Sequence, residues 1–360
     1  MKKSRIWIAV AVLIGLSVAA VVTTRSHEAK STIEKPTASL PTVKRDDVTS
    51  VEITKPGQPA IVLQKQPDGK SWKLTAPLEA EAGKEPVDAV LDRISDLDVT
   101  GIAATRKENH ARLEVDPEHA IRVKAKGGQA VLADLHVGAS KSGGTMVRVE
   151  GQDEVLAAEG SFRYVFDKEP KEFRNHEILT IEGTDLAALA ISSPKGTFKF
   201  ERGEATWAQA KGEKPIARFY PEKVHAVAGV LTSLRATDFA APGEGDAVTG
   251  LNAPLAKATI TKKDGSSVDV LLGKAHAEGD HYLRVSTSDV VYRVPKYVAD
   301  ELMLDEKALQ KPEGKEGEQP AAGIPRVPGM PEGAMPELPP EIMEKLKASM
   351  QKSGQMPPGH

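Results

Sequence analysis

The chain has 360 residues, with 51 acidic against 48 basic side chains and a formal net charge of −3. That balance excludes the basic excess of a general nucleic-acid binder, so no nucleic-acid partner is expected. Cysteine is absent, which removes disulfides, thiolate metal sites and cysteine nucleophiles together. Aromatic residues make up only 4%, so the core must be built from Val, Leu, Ile and Ala.

Lys2, Lys3 and Arg5 precede an uncharged stretch from Ile6 to Val22, and Arg25 follows it. As a helix this stretch reaches about 25 Å, the lower limit for crossing a hydrocarbon core. Positive charge ahead of it holds the N-terminus in the cytoplasm. Residues 1–25 are therefore expected to be a cytoplasmic n-region and transmembrane anchor, Ile6 to Val22, in a single-pass protein of a bacterial inner membrane. The body then lies in the periplasm or extracytoplasmic space. Cleavage of a signal peptide at Val18-Ala19-Ala20 is the competing reading, and it exports the body equally. Residues 26–44, with Pro36 and Pro41, read as a polar linker.

The body reads as two copies of one unit, 45–182 and 183–311. In the first, Val48-Thr49-Ser50-Val51-Glu52-Ile53 alternates as a half-buried strand does. Ile61-Val62-Leu63 makes a second strand, Pro67-Asp68-Gly69 a turn, and Trp72-Lys73-Leu74 a third strand. Val87, Val90, Leu91, Ile94 and Leu97 share one helical face, with Pro86 suited to the first helical position and the helix ending near Leu97. Strands are expected again at Ile121–Val123, Val131–Val137, Thr145–Val149 and Val155–Ala157.

The second copy repeats the plan. Val224, Val227, Ala228, Leu231 and Leu234 each follow their counterparts by 137 positions, and Thr100, Ala103, Ala104 and Pro117 match Thr237, Ala240, Ala241 and Pro254 at the same offset. With small gaps, Trp72 matches Trp207, Gly138 matches Gly273, and Arg148-Val149 matches Arg284-Val285. Leu189 with Ile191, Phe198 with Phe200, and Trp207 mark the opening strands. Thr259–Thr261 and Val268–Leu272 flank the hairpin signal Asp264-Gly265. Tyr282–Val285 and Val290–Val294 follow, and Pro295 opens a helix at Lys296–Leu302. The expected fold class is α+β: two tandem repeats of a mainly antiparallel sheet with one long helix each, an N-terminal transmembrane helix and a disordered Pro-rich C-terminal tail. Trp72 and Trp207 are expected to anchor equivalent cores.

Several of these features resemble the bacterial domain-of-unknown-function 4340 family. They are the order strand, strand, Trp72-Lys73-Leu74 to Pro77, apolar-faced helix; the turn Leu113-Glu114-Val115-Asp116-Pro117, echoed by Gly250-Leu251-Asn252-Ala253-Pro254; the strand end Leu135-His136-Val137-Gly138, echoed by Leu271-Leu272-Gly273-Lys274; and the closing run Glu172-Phe173-Arg174-Asn175-His176-Glu177-Ile178-Leu179. The second copy departs from the pattern, with Ala208-Gln209 after its Trp and no Arg-Asn pair in its closing run Asp305 to Leu309. The resemblance implies an N-terminally anchored, exported protein of repeated domains, with some relatives associated with exporter-type systems of the gliding-motility auxiliary kind. It implies no catalytic residue.

Motifs for nucleotide binding and for serine hydrolases are missing from the sequence. Ser192-Ser193-Pro194-Lys195 has Ser-x-x-Lys spacing, but Pro194 and its place between strands oppose the helix that motif requires. His276 and His281 bracket Glu278 and Asp280, which reads as a solvated hairpin loop in preference to a metal site. His110 and His119, flanking Asp116 and Glu118, read likewise as a connecting loop. Arg148 and Arg284 are expected to pair with carboxylates across strands. No catalytic, cofactor or metal residue is assigned.

Residues 312–360 hold 10 of the 25 prolines and 5 of the 8 methionines and read as a disordered tail. Within it, 341–352 has helical spacing, and Ile342, Met343, Leu346 and Met350 form an apolar side suited to docking on a partner. The expected function is that of a non-enzymatic, membrane-anchored accessory or scaffold protein of an envelope protein complex, of the ABC-type transport or gliding-motility-auxiliary kind. The alternatives are a periplasmic protein that binds a small molecule or glycan, and an envelope hydrolase whose site is assembled from scattered residues.

Overall fold

The computed structural model describes residues 39–312 apart from 142 and 278. The anchor residues Ile6 to Val22 and the tail residues Ile342, Met343, Leu346 and Met350 lie outside the described residues. Among those described, no helix is long and apolar enough to cross a membrane.

Alternating burial builds the first sheet: Val51 and Ile53 of β1 (Ser50–Thr54) point inward while their neighbours are partly exposed. The chain continues through β2 (Ile61–Lys65), β3 (Trp72–Ala76), β4 (Ala80–Glu81), helix α1 (Lys84–Ser95), β5 (Val99–Ala104), β6 (Ile121–Gly127), β7 (Ala130–Lys141), β8 (Gly144–Val149) and β9 (Val155–Ala158). These strands form a nine-stranded sheet in the order β4-β3-β2-β1-β6-β7-β8-β9-β5, antiparallel throughout. Short helix α2 (Arg163–Phe166) and strand β10 (Glu177–Thr180) lead onward.

The second half runs β11 (Leu186–Ser193), β12 (Gly196–Arg202), β13 (Trp207–Gln209), α3 (Pro221–Thr232), β14 (Ser233–Arg235), β15 (Asp238–Phe239), α4 (Asp246–Thr249), β16 (Ala256–Lys262), β17 (Ser267–Ala275), β18 (His281–Val285), β19 (Tyr292–Val294) and α5 (Lys296–Leu302). Its sheet, again antiparallel, has the order β13-β12-β11-β16-β17-β18-β19-β15. Apart from β4, the two orders are the same. In both, a strand that follows the helix, β5 in the first half and β15 in the second, lies at the far edge beside the last strand of the meander. The mainly antiparallel character expected from the sequence is present in both sheets.

Each helix covers one face of its own sheet. Helix α1 buries Val87, Val90, Leu91 and Ile94, which join Ile53, Leu63 and Trp72 in one cluster. Helix α3 buries Val224, Val227, Ala228 and Leu231 beside Leu189, Phe200 and Trp207 in another. Helix α1 starts two residues before the expected Pro86 and ends at Ser95, not Leu97. The extended backbone of Gly83 caps it, and a proline inside the first turn costs no helical hydrogen bond, because those N–H groups have no acceptor within the helix. Strand β19 starts at Tyr292, two residues later than expected. The edge strand β5, with Gly101 and two register shifts, has no clean alternation for a sequence to show.

The opposite face of each sheet is crossed by the segment that leads into β6 or β16. A Cβ on Gly138 would stand 2.3 Å from the Leu113 carbonyl oxygen, and one on Gly273 2.3 Å from that of Thr249. Both glycines therefore admit a backbone that passes too close for any side chain. The paired arginines fasten the same two segments, which corrects the expected cross-strand pairing. Arg148 Nε donates to the Val115 carbonyl at 3.1 Å and Nη1 to that of Gln152 at 3.2 Å. Arg284 grips both oxygens of Asp246 on α4, at 2.8 and 3.0 Å. Val115 and Asp246 lie on the crossing segments, and Gln152 lies in the β8–β9 turn, so no acceptor comes from a neighbouring strand.

The halves meet through β10, which pairs with β14 across the junction. Ile178 of β10 belongs to the second core. The described sheets belong to one compact unit ending at Lys311.

Candidate functional site

The run that closes the first half lies along the entry to α1. Gly83 N–H donates to the Phe173 carbonyl and Asn175 N–H to that of Glu81, both at 2.8 Å, and Ala82 bridges Arg174. The second half closes in the same way. Tyr220 N–H donates to the Leu309 carbonyl and Lys311 N–H to that of Arg218, both at 2.8 Å, and Phe219 bridges Gln310. Arg174 and Gln310 thus hold equivalent positions in the two halves.

An open cleft of about 1140 Å³ borders this run, walled by Trp72, Lys73, the first turn of α1, Arg174, His176 and Arg235. The Arg174 guanidinium carbon stands 3.4 Å from the centre of the Phe239 ring, a cation–π contact between the halves. Its Nε is sealed from solvent without a hydrogen-bond partner, and burial pushes the guanidinium pKa down. His176 meets the Phe239 ring edge-on, with centres 4.9 Å apart. Its Nδ1 lies 3.0 Å from the Ala236 carbonyl oxygen and its Nε2 3.1 Å from that of Lys171. Lys171 reaches Asp238 at 3.4 Å. Burial pushes the Asp238 carboxyl up, but the Phe239 N–H and Lys171 outweigh it and hold the group below the usual carboxylate range.

A second polar cluster lies on the outer side of the first sheet. Arg122 holds Asp134 at 2.8 and 2.9 Å, and His136 Nε2 faces Glu150 at 2.5 Å. His136 Nδ1 is buried and unpartnered, so this ring has no exposed base to offer a substrate, and the cluster reads as structural. Burial pushes the His136 pKa down against the pull of Glu150. The folded form therefore binds its proton less readily than the unfolded chain, and the stability this provides is complete above about pH 6.5 and lost as pH falls below it. Leu271 occupies the corresponding place in the second sheet. H136L should flatten the loss of stability between about pH 7 and pH 5, followed by urea titration at each pH; an unchanged pH slope would refute the assignment. His281, shifted down by burial in the same direction, leaves a residual slope.

The other sequence candidates fall elsewhere. His281 is buried at the start of β18, not in the solvated loop expected for it. The alternation of β18 turns it inward, and only His276 remains in the turn, edge-on to Tyr282. Ser192 and Lys195 sit around the β11–β12 hairpin, with Ser193 paired to Gly196, and no helix forms there. His110 is buried, 2.8 Å from the Asp153 carbonyl oxygen. His119 pairs with Asp116 at 2.9 Å. Among the described residues, no group of three or more His, Asp or Glu side chains is placed to hold a metal ion. Phe239 and Arg235 gave no sequence signal, whereas Arg174 was visible as half of an Arg-Asn pair present in one copy only.

The family profile described as "Domain of unknown function (DUF4340)" matches residues 72–254. Neither the curated proteins nor the solved structures contain a match to this chain.

Proposed function

The chain belongs to the DUF4340 family, and on that premise we propose that it is a membrane-anchored, extracytoplasmic accessory protein whose body serves as a rigid scaffold for an envelope transport complex. The repeated strand order supports a further reading, that the body arose by tandem duplication of one α+β unit. The observation that carries the scaffold reading is the bonded junction. Strands β10 and β14, His176 with Ala236, and Lys171 with Asp238 tie the halves directly. A binding protein that closes like a clam needs a sparse, low-stability hinge between its lobes. A tied junction suits a body that holds a fixed geometry for partners. The apolar stretch Ile6–Val22 would place it at the membrane, and the Ile342-to-Met350 face would give the tail something to dock with.

Photo-crosslinking in intact cells, with probes on the exposed Tyr297 and in the 341–352 segment, tests this. The expected result is a discrete high-mass adduct in the membrane fraction, containing subunits of a transport complex. Recovery of the native chain in the cytosol, or of uncrosslinked monomer at every probe position, would refute it.

A further inference from the structure

Arg174 occupies a position that the fold does not require to be charged. Its equivalent, Gln310, makes the same main-chain bridge and closes the second half without a guanidinium. Yet Arg174 is partly buried, and moving a charge out of water is costly unless it is paired. Among the described residues no carboxylate pairs with its guanidinium and no acceptor takes a hydrogen bond from that group, although its backbone N–H donates to the Lys171 carbonyl. The Phe239 ring contact at 3.4 Å offsets part of that cost. The ring also fixes the plane of the guanidinium, while Nε is shut off from water.

The cations around it are otherwise engaged or flexible. Arg45 is held by Asp88 and Asp92. Arg235 lies 3.6 Å from Glu85. Lys171 is drawn to Asp238. Arg174 is left as a preoriented planar donor on the wall of the cleft, which Lys73 also lines. A planar fork of N–H donors matches an oxyanion, which it can take through two parallel bonds.

We infer that this cleft, on the first half beside the junction, binds the oxyanion of a small anionic ligand, with Arg174 as its principal donor and the Phe239 ring behind it as the platform that orients it. The shared chemistry is that of a phosphate or carboxylate group, free or carried on a lipid headgroup. The cleft is already open, so binding needs no hinge, and this inference stands whether or not the chain is a scaffold.

The test uses the full chain in detergent micelles and follows its melting temperature against inorganic phosphate and against citrate, with sodium chloride adjusted to constant ionic strength. A ligand that binds only the native state raises the melting temperature with a saturating dependence on its concentration. The expected result is such a rise for the parent chain, its loss in R174Q, and at least about a tenfold weaker midpoint in R174K, whose point charge lacks the fork. Gln at this position is what the second half carries, so R174Q should fold. If it does not, the R174K midpoint decides. A parent chain that gives no saturating rise, or an R174Q or R174K that keeps the parent midpoint, would overturn the inference. Co-sedimentation of the body, freed from its anchor stretch by proteolysis in the linker, with phosphatidylglycerol against phosphatidylcholine vesicles separates the sources. Selective capture by phosphatidylglycerol that R174Q abolishes supports a headgroup, and saturation by free phosphate or citrate without vesicle capture supports a soluble ligand.

Discussion

Replacing Trp207 with alanine is expected to destabilise the second half by about 3–5 kcal/mol. The side chain is 1% exposed and belongs with Val224, Val227 and Leu231 of α3 to a core whose other buried rings are Phe200, Phe239 and Tyr292. Deleting it leaves a cavity that a sheet braced on both sides cannot close. W207F should cost less than half as much. The buried indole Nε1 has no hydrogen-bond partner, so phenylalanine removes an unsatisfied donor while keeping most of the apolar surface. Urea unfolding followed by far-ultraviolet circular dichroism measures both. Equal costs for the two substitutions would mean that the indole nitrogen contributes through a partner, against the packing described above. Trp72, at the cleft, is 9% exposed and should tolerate alanine better.

The second large effect concerns the two close-approach glycines. G138A and G273A are each expected to cost about 3 kcal/mol, the range for forcing atoms into a packed site that cannot relax. In both cases the added methyl would meet a carbonyl oxygen of the crossing segment at 2.3 Å. That segment has little freedom to retreat, because Arg148 in one half and the Arg284–Asp246 pair in the other hold it down. G101A is the control: nothing lies within 4 Å of a Cβ there, and alanine should be neutral or gain a few tenths of a kcal/mol (roughly, through the unfolded state). Trp72 and Trp207 each sit in one core. In a W7F background, variants keeping only one of them report the halves separately. G138A should lower the midpoint seen by Trp72, and G273A that seen by Trp207. A loss below about 0.5 kcal/mol for both would show that the crossing segment yields easily, contrary to its anchoring.

The glycine pair shows what was legible and what was not. Gly138 and Gly273 stood out as matching positions in two copies, and so did Arg148 and Arg284. Their correspondence was readable from order along the chain. Their reason was not. The arginines looked like cross-strand partners because neighbours in a sheet are the default company of a strand residue. The Val115 and Asp246 acceptors come from segments that cross the face from elsewhere in the chain, and no local spacing encodes that path. His281 was misplaced for a related reason: a histidine beside Asp280 and Gly279 has the look of a turn, and only the alternation of the strand it begins decides that it points inward.

Helices α1 and α3, the hairpins at Asp68-Gly69 and Asp264-Gly265, and the helix at Lys296–Leu302 follow from the sequence by itself. So does the correspondence between the halves. Burying one face of a helix or strand is a short-range requirement, and it leaves a period of 3.6 or 2 in the residues that meet it. Only the tertiary structure decided that β5 and β15 cross to the far edges of their sheets, that β10 pairs with β14 across the junction, and that Arg174 lies over Phe239. Those contacts join residues far apart in the chain. Their energies depend on what comes to face each group, and a lone arginine carries no mark of whether its charge will be met by a carboxylate, a ring or an open cleft.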